Sequence, residues 1–328
     1  VSISIEGPSQ RRGRQDVNGS KVLSLGHYQP LRSLSNAVIE RRLDTSDEWI
    51  TRRVGIRSRR IAEVNETVSY MASRAAEEAL KGSGIPRSDI DLVVVASCTA
   101  IERSPNVAAR VAGELNLSAP AVIDVNTACS GFSHALAIAD HSVRAGAAAN
   151  ALVVGADKLS GVVDWTDRST AVLVGDGAGA SVIGQSDTPG IGPVLWGSDP
   201  QKGKAIRIEG TPPVFAQDGH TVYRWAVTEL PKLASAVCEL AGVAPSELGA
   251  VVFHQANLRI IEKVAEGLGA VNAVISTDIV ESGNTSAASI PIALSKLVGQ
   301  NRVPSGTPIL LFGFGGGLAY SGQVIRCP

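Results

Sequence analysis

No stretch of the 328 residues approaches the roughly 18 consecutive apolar residues of a membrane-spanning helix, so no such span is expected. Neither sign of charge is in excess. The formal net charge of −1 argues against a general polyanion-binding surface, and so against nucleic acid as a partner. Cysteine is scarce: Cys98, Cys129, Cys238 and Cys327 form no C-x-x-C pair and no cluster with histidine. That leaves no metal-ligand pattern and reads as free thiols in a reducing cytoplasm. Residues 1–20 lack the apolar core of a signal peptide; mostly polar, with Arg11, Arg12 and Arg14, they read as a flexible arm. What is present is the composition of a soluble globular chain, 44% hydrophobic and 19% charged, long enough for two core-forming units.

Apolar strands alternate with helices: strand 90–97, helix 104–115, strand 121–125, helix 129–146 and strand 150–156, then helix 222–241, strand 249–254, helix 257–268 and helix 285–299. This order predicts an α/β fold whose sheet strands, such as Leu92-Val93-Val94-Val95, are covered on both faces. The order also repeats. Gly84-Ile85-Pro86-Arg87-Ser88-Asp89-Ile90 aligns with Gly242-Val243-Ala244-Pro245-Ser246-Glu247-Leu248 at an offset of 158 residues. Asn126-Thr127 and Asn284-Thr285, and Ala135-Leu136 and Ala293-Leu294, share that offset. Gly175-Asp176-Gly177-Ala178-Gly179 and Gly313-Phe314-Gly315-Gly316-Gly317 pair at 138. The chain reads as a duplicated unit whose equivalent strand ends converge on one site.

Three residues stand at those ends. Cys129, in Asp124-Val125-Asn126-Thr127-Ala128-Cys129-Ser130-Gly131-Phe132, falls where a strand turns into an alanine-rich helix. There, unpaired backbone N–H groups and the helix dipole favour a thiolate, so a lowered thiol pKa is expected. The residue is then either a nucleophile that forms a thioester or a small side chain filling a tight turn. His254 ends the strand Val251-Val252-Phe253. Asn284, in Gly283-Asn284-Thr285-Ser286, also fits an ordinary helix cap. Gly315-Gly316-Gly317 suits a tight turn that brings a backbone N–H close to substrate. Cys98 and Cys238 read as packing residues, and His27, His134, His141 and His220 as structural or surface residues.

Cys129 in Ala-Cys-Ser-Gly-Phe, His254 in His-Gln-Ala-Asn-Leu-Arg-Ile-Ile and Asn284 in Gly-Asn-Thr-Ser-Ala-Ala-Ser together resemble the β-ketoacyl-acyl carrier protein synthase III family of the thiolase fold. So do Asp44-Thr45-Ser46-Asp47-Glu48-Trp49-Ile50, Gly175-Asp176-Gly177-Ala178-Gly179-Ala180 and the glycine-rich end, over residues 20–328. The resemblance implies duplicated βαβαβαββ halves, 21–189 with the cysteine and 190–328 with His and Asn, stacked as a five-layered αβαβα sandwich in a homodimer. It implies that Cys129 takes an acyl group from acyl-CoA, with backbone N–H groups of Cys129 and Gly316 as oxyanion hole. His254 and Asn284 would then stabilise the enolate formed as a malonyl thioester, on an acyl carrier protein, loses CO2. No metal or redox cofactor is implied. Trp49 and Arg168 would sandwich the CoA adenine, Arg53 would meet its phosphates and Asn257 its pantetheine arm. Ser104 and Leu318 would belong to the acyl pocket, and Arg224, Arg259 and Lys263 to the carrier-docking surface.

The chain departs from the family in three ways. The connection from Gly190 to Tyr223 is about a dozen residues short, so a more open site is expected. Ser104 precedes Pro105 where acetyl-selective members carry a bulky aromatic, which points to a primer larger than acetyl. Glu266 and Gly267 stand where housekeeping members tend to be basic, which weakens steering of an acidic carrier protein. These departures favour polyketide-type over fatty-acid chain initiation. They also keep open an acyltransferase that moves the Cys129-bound group to an alcohol or amine, although the retained Asn284 favours condensation.

Overall fold

The computed structural model describes residues 19–328. Most of the expected N-terminal arm lies outside the described residues, but Gly19 and Ser20 do not belong to it, since they open the first strand. The first half runs β1 (Gly19–Tyr28), then a ribbon of β2 (Ser33–Ser35) and β3 (Ser58–Arg60) around α1 (Asn36–Ile39) and α2 (Asp47–Val54). It continues with α3 (Val68–Ser83), β4 (Leu92–Ala96), α4 (Val107–Glu114), β5 (Ala121–Val125), α5 (Gly131–Arg144), β6 (Asn150–Lys158), α6 (Arg168–Ala171) and β7 (Asp176–Ser186). The second half begins with β8 (Leu195–Ser198), a hairpin of β9 (Ile206–Glu209) and β10 (Val214–Gln217), and α7 (Gly219–Leu240). Then come β11 (Ala250–Phe253), α8 (Leu258–Leu268), β12 (Val274–Ile275), α9 (Ile279–Ser282), α10 (Ser289–Gly299), β13 (Pro308–Phe314) and β14 (Ala319–Arg326).

Two five-stranded sheets carry the same plan. The first has order β1-β7-β6-β4-β5 and the second β8-β14-β13-β11-β12. In each, the last three strands (β6, β4 and β5; β13, β11 and β12) are parallel, and the first two join them through antiparallel pairings. The 158-residue offset persists in detail: β6 and β13 begin 158 residues apart, as do the single turns Ala128–Ser130 and Ser286–Ala288.

The near-continuous apolar strands follow from burial on both faces. Leu92, Val94 and Ala96 pack inward with Phe132 and Leu136 of α5 and Ile290 and Leu294 of α10, and Val252 and Leu311 join them from the second sheet. Val93 and Val95 point outward, against Met71 and Ala75 of α3 and Val107 and Val111 of α4. On the far side Phe253, Leu310 and Phe312 meet Trp225 and Leu230 of α7 and Ile261 of α8. The result is five layers with α5 and α10 at the centre. Backbone contact there is close, since a Cβ at Gly155 of β6 would stand 2.3 Å from the Ala287 carbonyl oxygen.

Helix boundaries differ from the periodicity where capping decides them. Helix α4 begins at Val107, not 104, because Asn106 accepts from the Ala109 N–H and the Asp124 carboxylate from those of Val107 and Ala108. The expected helices 129–146 and 285–299 each start with a tight single turn before the α-helix proper.

Candidate active site

Cys129 lies in the turn Ala128–Ser130 that joins β5 to α5. Asn284 enters the counterpart turn, where Ala128 and Ser286 share a left-handed backbone at φ 48° and 51°. The glycine-rich segment closes over the sulfur: a Cβ on Gly315 would fall 2.7 Å from the Cys129 Cβ and 3.1 Å from its Sγ. Only glycine allows that approach. His254 follows β11, its N–H bonded to the Phe312 carbonyl at 2.9 Å and its ring edge-on to Phe314 at 5.2 Å.

All three residues face one channel of about 610 Å³ that also touches Trp49, Arg53, Tyr223, Asn257 and Arg259. A second cavity, of about 260 Å³, shares Cys129, Asn284, Ile206 and Phe215 with the channel and extends past Cys98, Leu159, Ile208, Ser286 and Gly316. Cys129 therefore stands at the junction of the channel and this second chamber.

Asn284 is clamped through its backbone, which donates to the Leu173 carbonyl and accepts from the Gly175 N–H, each at 2.8 Å. Its Oδ1 accepts from the Ser286 N–H at 2.8 Å, which leaves the Nδ2 hydrogens as the donors available to the cavity. The Asp157 carboxylate ties the halves together. One oxygen accepts from the Cys98 and Thr99 N–H groups at 2.9 and 3.1 Å, the other from the Ala287 N–H at 2.9 Å.

Residues 123–200 match the sequence profile of 3-oxoacyl-[acyl-carrier-protein (ACP)] synthase III, and residues 238–327 match that of its C-terminal part. The chain is 61% identical over 313 residues to Beta-ketoacyl-[acyl-carrier-protein] synthase III 4 of Streptomyces coelicolor, covering 94% of this chain and 99% of that protein. A second synthase III, from Streptomyces avermitilis, is 60% identical over 95% of this chain and all of its own length. Among solved structures, the priming β-ketosynthase of the R1128 polyketide biosynthetic pathway superposes with a TM-score of 0.93 at 40% identity, covering 97% of this chain and 98% of that one. The synthase III of Aquifex aeolicus gives 0.90 at 40%, covering 94% and 100%. The chain belongs to the β-ketoacyl-acyl carrier protein synthase III family. It is a condensing enzyme of the acyltransferase class with the thiolase fold.

In this synthase the expected low thiol pKa is not found. Burial pushes Cys129 up to about 12; a hydrogen bond from Ser286 opposes that rise, the nearby Asp157 carboxylate adds to it, and a backbone hydrogen bond lowers it. Burial decides the outcome, because a helix end contributes only about 0.3–2 kcal/mol against it. His254 is likewise governed by burial, which lowers it to about 3 and keeps the imidazole neutral at physiological pH.

The other expected residues fall in three groups. Trp49, Arg53 and Asn257 of the synthase line the channel, and Arg168 lies over the Trp49 ring at 5.0 Å, in direct cation–π contact. Asn257 caps α8 through the Arg259 N–H and donates to the Arg53 carbonyl at 3.3 Å. On the docking side Arg224 is exposed, Arg259 sits 5.6 Å from the Tyr223 ring centre, and Lys263 is neutralised by Glu266 at 2.6 Å. Ser104 is exposed and does not line this chain's own chamber. Leu318 is a correction: the turn Gly316–Leu318, with Gly317 at φ 103°, rotates it fully into the core, so Gly316 and Gly317 line the chamber instead.

Two further readings change. Cys98 is not a packing residue: it lines the chamber, and its sulfur stands 3.4 Å from the Ser286 hydroxyl. The short connection does not leave the site uncovered, because β9 and β10 fold over it and supply Ile206, Ile208 and Phe215 as walls. His220, expected to be a structural or surface residue, is exposed and also lines the channel.

Proposed function

We propose that this synthase starts acyl chains by loading Cys129 from an acyl-CoA larger than acetyl-CoA and condensing that group with malonyl-acyl carrier protein. The observation that carries the reading is Cys129 at the junction of the two cavities, with His254 and Asn284 on the same walls. The channel suits the pantetheine arm of either thioester, with Trp49, Arg168 and Arg53 around the nucleotide end of CoA.

Loading exchanges one thioester for another. Cys129 sulfur bonds to the acyl carbon, the CoA carbon–sulfur bond breaks, and the thiol proton passes to the departing CoA sulfur. N–H groups of Cys129 and Gly316 hold the oxyanion, each such donor being worth about 3–4 kcal/mol. The malonyl thioester then loses CO2, and the electron pair moves onto its thioester oxygen, where Asn284 Nδ2 and His254 donate. The enolate carbon attacks the acyl carbon, the β-ketoacyl thioester departs, and Cys129 leaves as thiolate and takes a proton from solvent. Neutral donors suit this chemistry because a carboxylate in either place would repel the enolate. No step invokes a metal or redox cofactor.

The synthase is proposed to work as a cytoplasmic homodimer. Strand β5 presents an outer edge with no strand partner among the described residues, and Val122 and Ile123 there are 36% and 40% exposed. Pairing through that edge would bring the loop of Ser104 from one protomer toward the chamber of the other. The small serine and the chamber of about 260 Å³ together support a primer longer than acetyl. Intact-mass screening with acyl-CoAs of increasing length tests this. Loading of Cys129 by primers of about four or more carbons in preference to acetyl is expected; strict acetyl preference overturns it.

A further inference from the structure

The segment that supplies Asn284 also reaches His254. Ser289, the first residue of α10 and almost fully buried, places its hydroxyl 2.7 Å from His254 Nδ1. The same oxygen stands 3.3 Å from the Gln255 nitrogen, from which it accepts. A serine hydroxyl has one hydrogen to give and two lone pairs to receive. A backbone N–H can only donate, so Gln255 takes none of the hydroxyl's hydrogen. Among the described residues the structure provides no carbonyl acceptor for it, the only remaining partner being the imidazole nitrogen.

We propose that Ser289 is a positioning residue that sets the tautomer of His254, donating to Nδ1 so that the ring proton sits on Nε2 and faces the reaction cavity. In the opposite tautomer Nδ1–H and the Gln255 N–H would both donate to the serine oxygen, and the buried hydroxyl hydrogen would be left without an acceptor. Its neighbour at the other end of the segment acts in the same way. The Ser286 N–H turns the Asn284 amide so that its hydrogens face inward. One turn and the first residue of one helix thus aim both neutral donors. The idea rests on the condensing role of His254 proposed above.

The test separates the two. In protein labelled with 15N at histidine, the His254 ring, assigned with a His254→Ala variant, should show a protonated Nε2 and an unprotonated, hydrogen-bonded Nδ1 before any substrate is added. A protonated Nδ1 in the wild type overturns the proposal, whatever the enzyme then does. Ser289→Ala should shift the Nδ1 resonance by loss of its donor and lower condensation about 10- to 100-fold, as misaligned catalytic donors do. Loading of Cys129 by acyl-CoA should stay within about twofold, and Ser289→Thr, which keeps the hydroxyl, should recover part of the loss. An equal fall in loading and condensation, or an unshifted Nδ1 with full condensation, overturns it. If the wild type shows the expected tautomer yet never decarboxylates a malonyl thioester, the condensing role fails and the tautomer assignment stands.

Discussion

Cys129 is held as a thiol by its depth in the protein, and the nearby helix end is too weak to reverse that. Its alkylation by iodoacetamide, followed on the peptide that carries it, should therefore keep accelerating up to about pH 10. A plateau near pH 7 would contradict a thiol raised by burial. Asn284→Asp puts a carboxylate where enolate charge develops; condensation should fall about 10²- to 10³-fold while loading from acyl-CoA changes little. Unchanged CO2 release from a malonyl thioester would remove Asn284 from that role. Cys98 marks what the sequence concealed. It ends an apolar strand and looks like packing, but its sulfur faces the chamber beside Ser286. Cys98→Phe should cut loading of longer primers by about 10-fold or more relative to acetyl, measured by competition on intact mass.

At the scale of elements, the strands were legible because burial on both faces writes itself as runs such as Leu92-Val93-Val94-Val95. The paired turns were legible through the 158-residue spacing, which relates Ala128–Ser130 to Ser286–Ala288 and so places Cys129 and Asn284 in matching positions. Less was legible where tertiary contacts decide. Nothing local shows that β9 and β10 fold over the chamber, or that a left-handed Gly317 turns Leu318 into the core. The exposed edge of β5 carries its own prediction. Ile123→Lys places a charge on that edge and should shift the protein from dimer to monomer in light scattering; an unchanged dimer would locate the interface elsewhere.

For the whole molecule, duplication explains why one cavity draws its nucleophile from one half and its two donors from the other. The Asp157 carboxylate spans that seam, bonding the loop of Cys98 and the turn after Asn284. Burial of His254 also reaches global stability. The unfolded chain binds a proton there below about pH 6.5, which the folded protein refuses until about 3. The unfolded state thus binds more protons across that window, and stability must fall as pH falls through it. His27 and His134, both lowered chiefly by burial, act in the same direction. Asp140 and Asp176, whose carboxyls burial raises, oppose this, so the test compares variants. The urea midpoint should fall less from pH 7 to 4 in His254→Gln than in the wild type, and an equal change in both would contradict a neutral buried His254.

The central claim is that the acyl group on Cys129 is consumed by a carbon nucleophile made by decarboxylation. A single turnover of protein preloaded with a 13C-carbonyl acyl group and mixed with malonyl-acyl carrier protein tests it most directly. The label should appear at the β-keto carbon of the carrier-bound product, with one CO2 released per acyl group consumed. Label transferred to an alcohol, an amine or water, with the malonyl thioester intact, would contradict it.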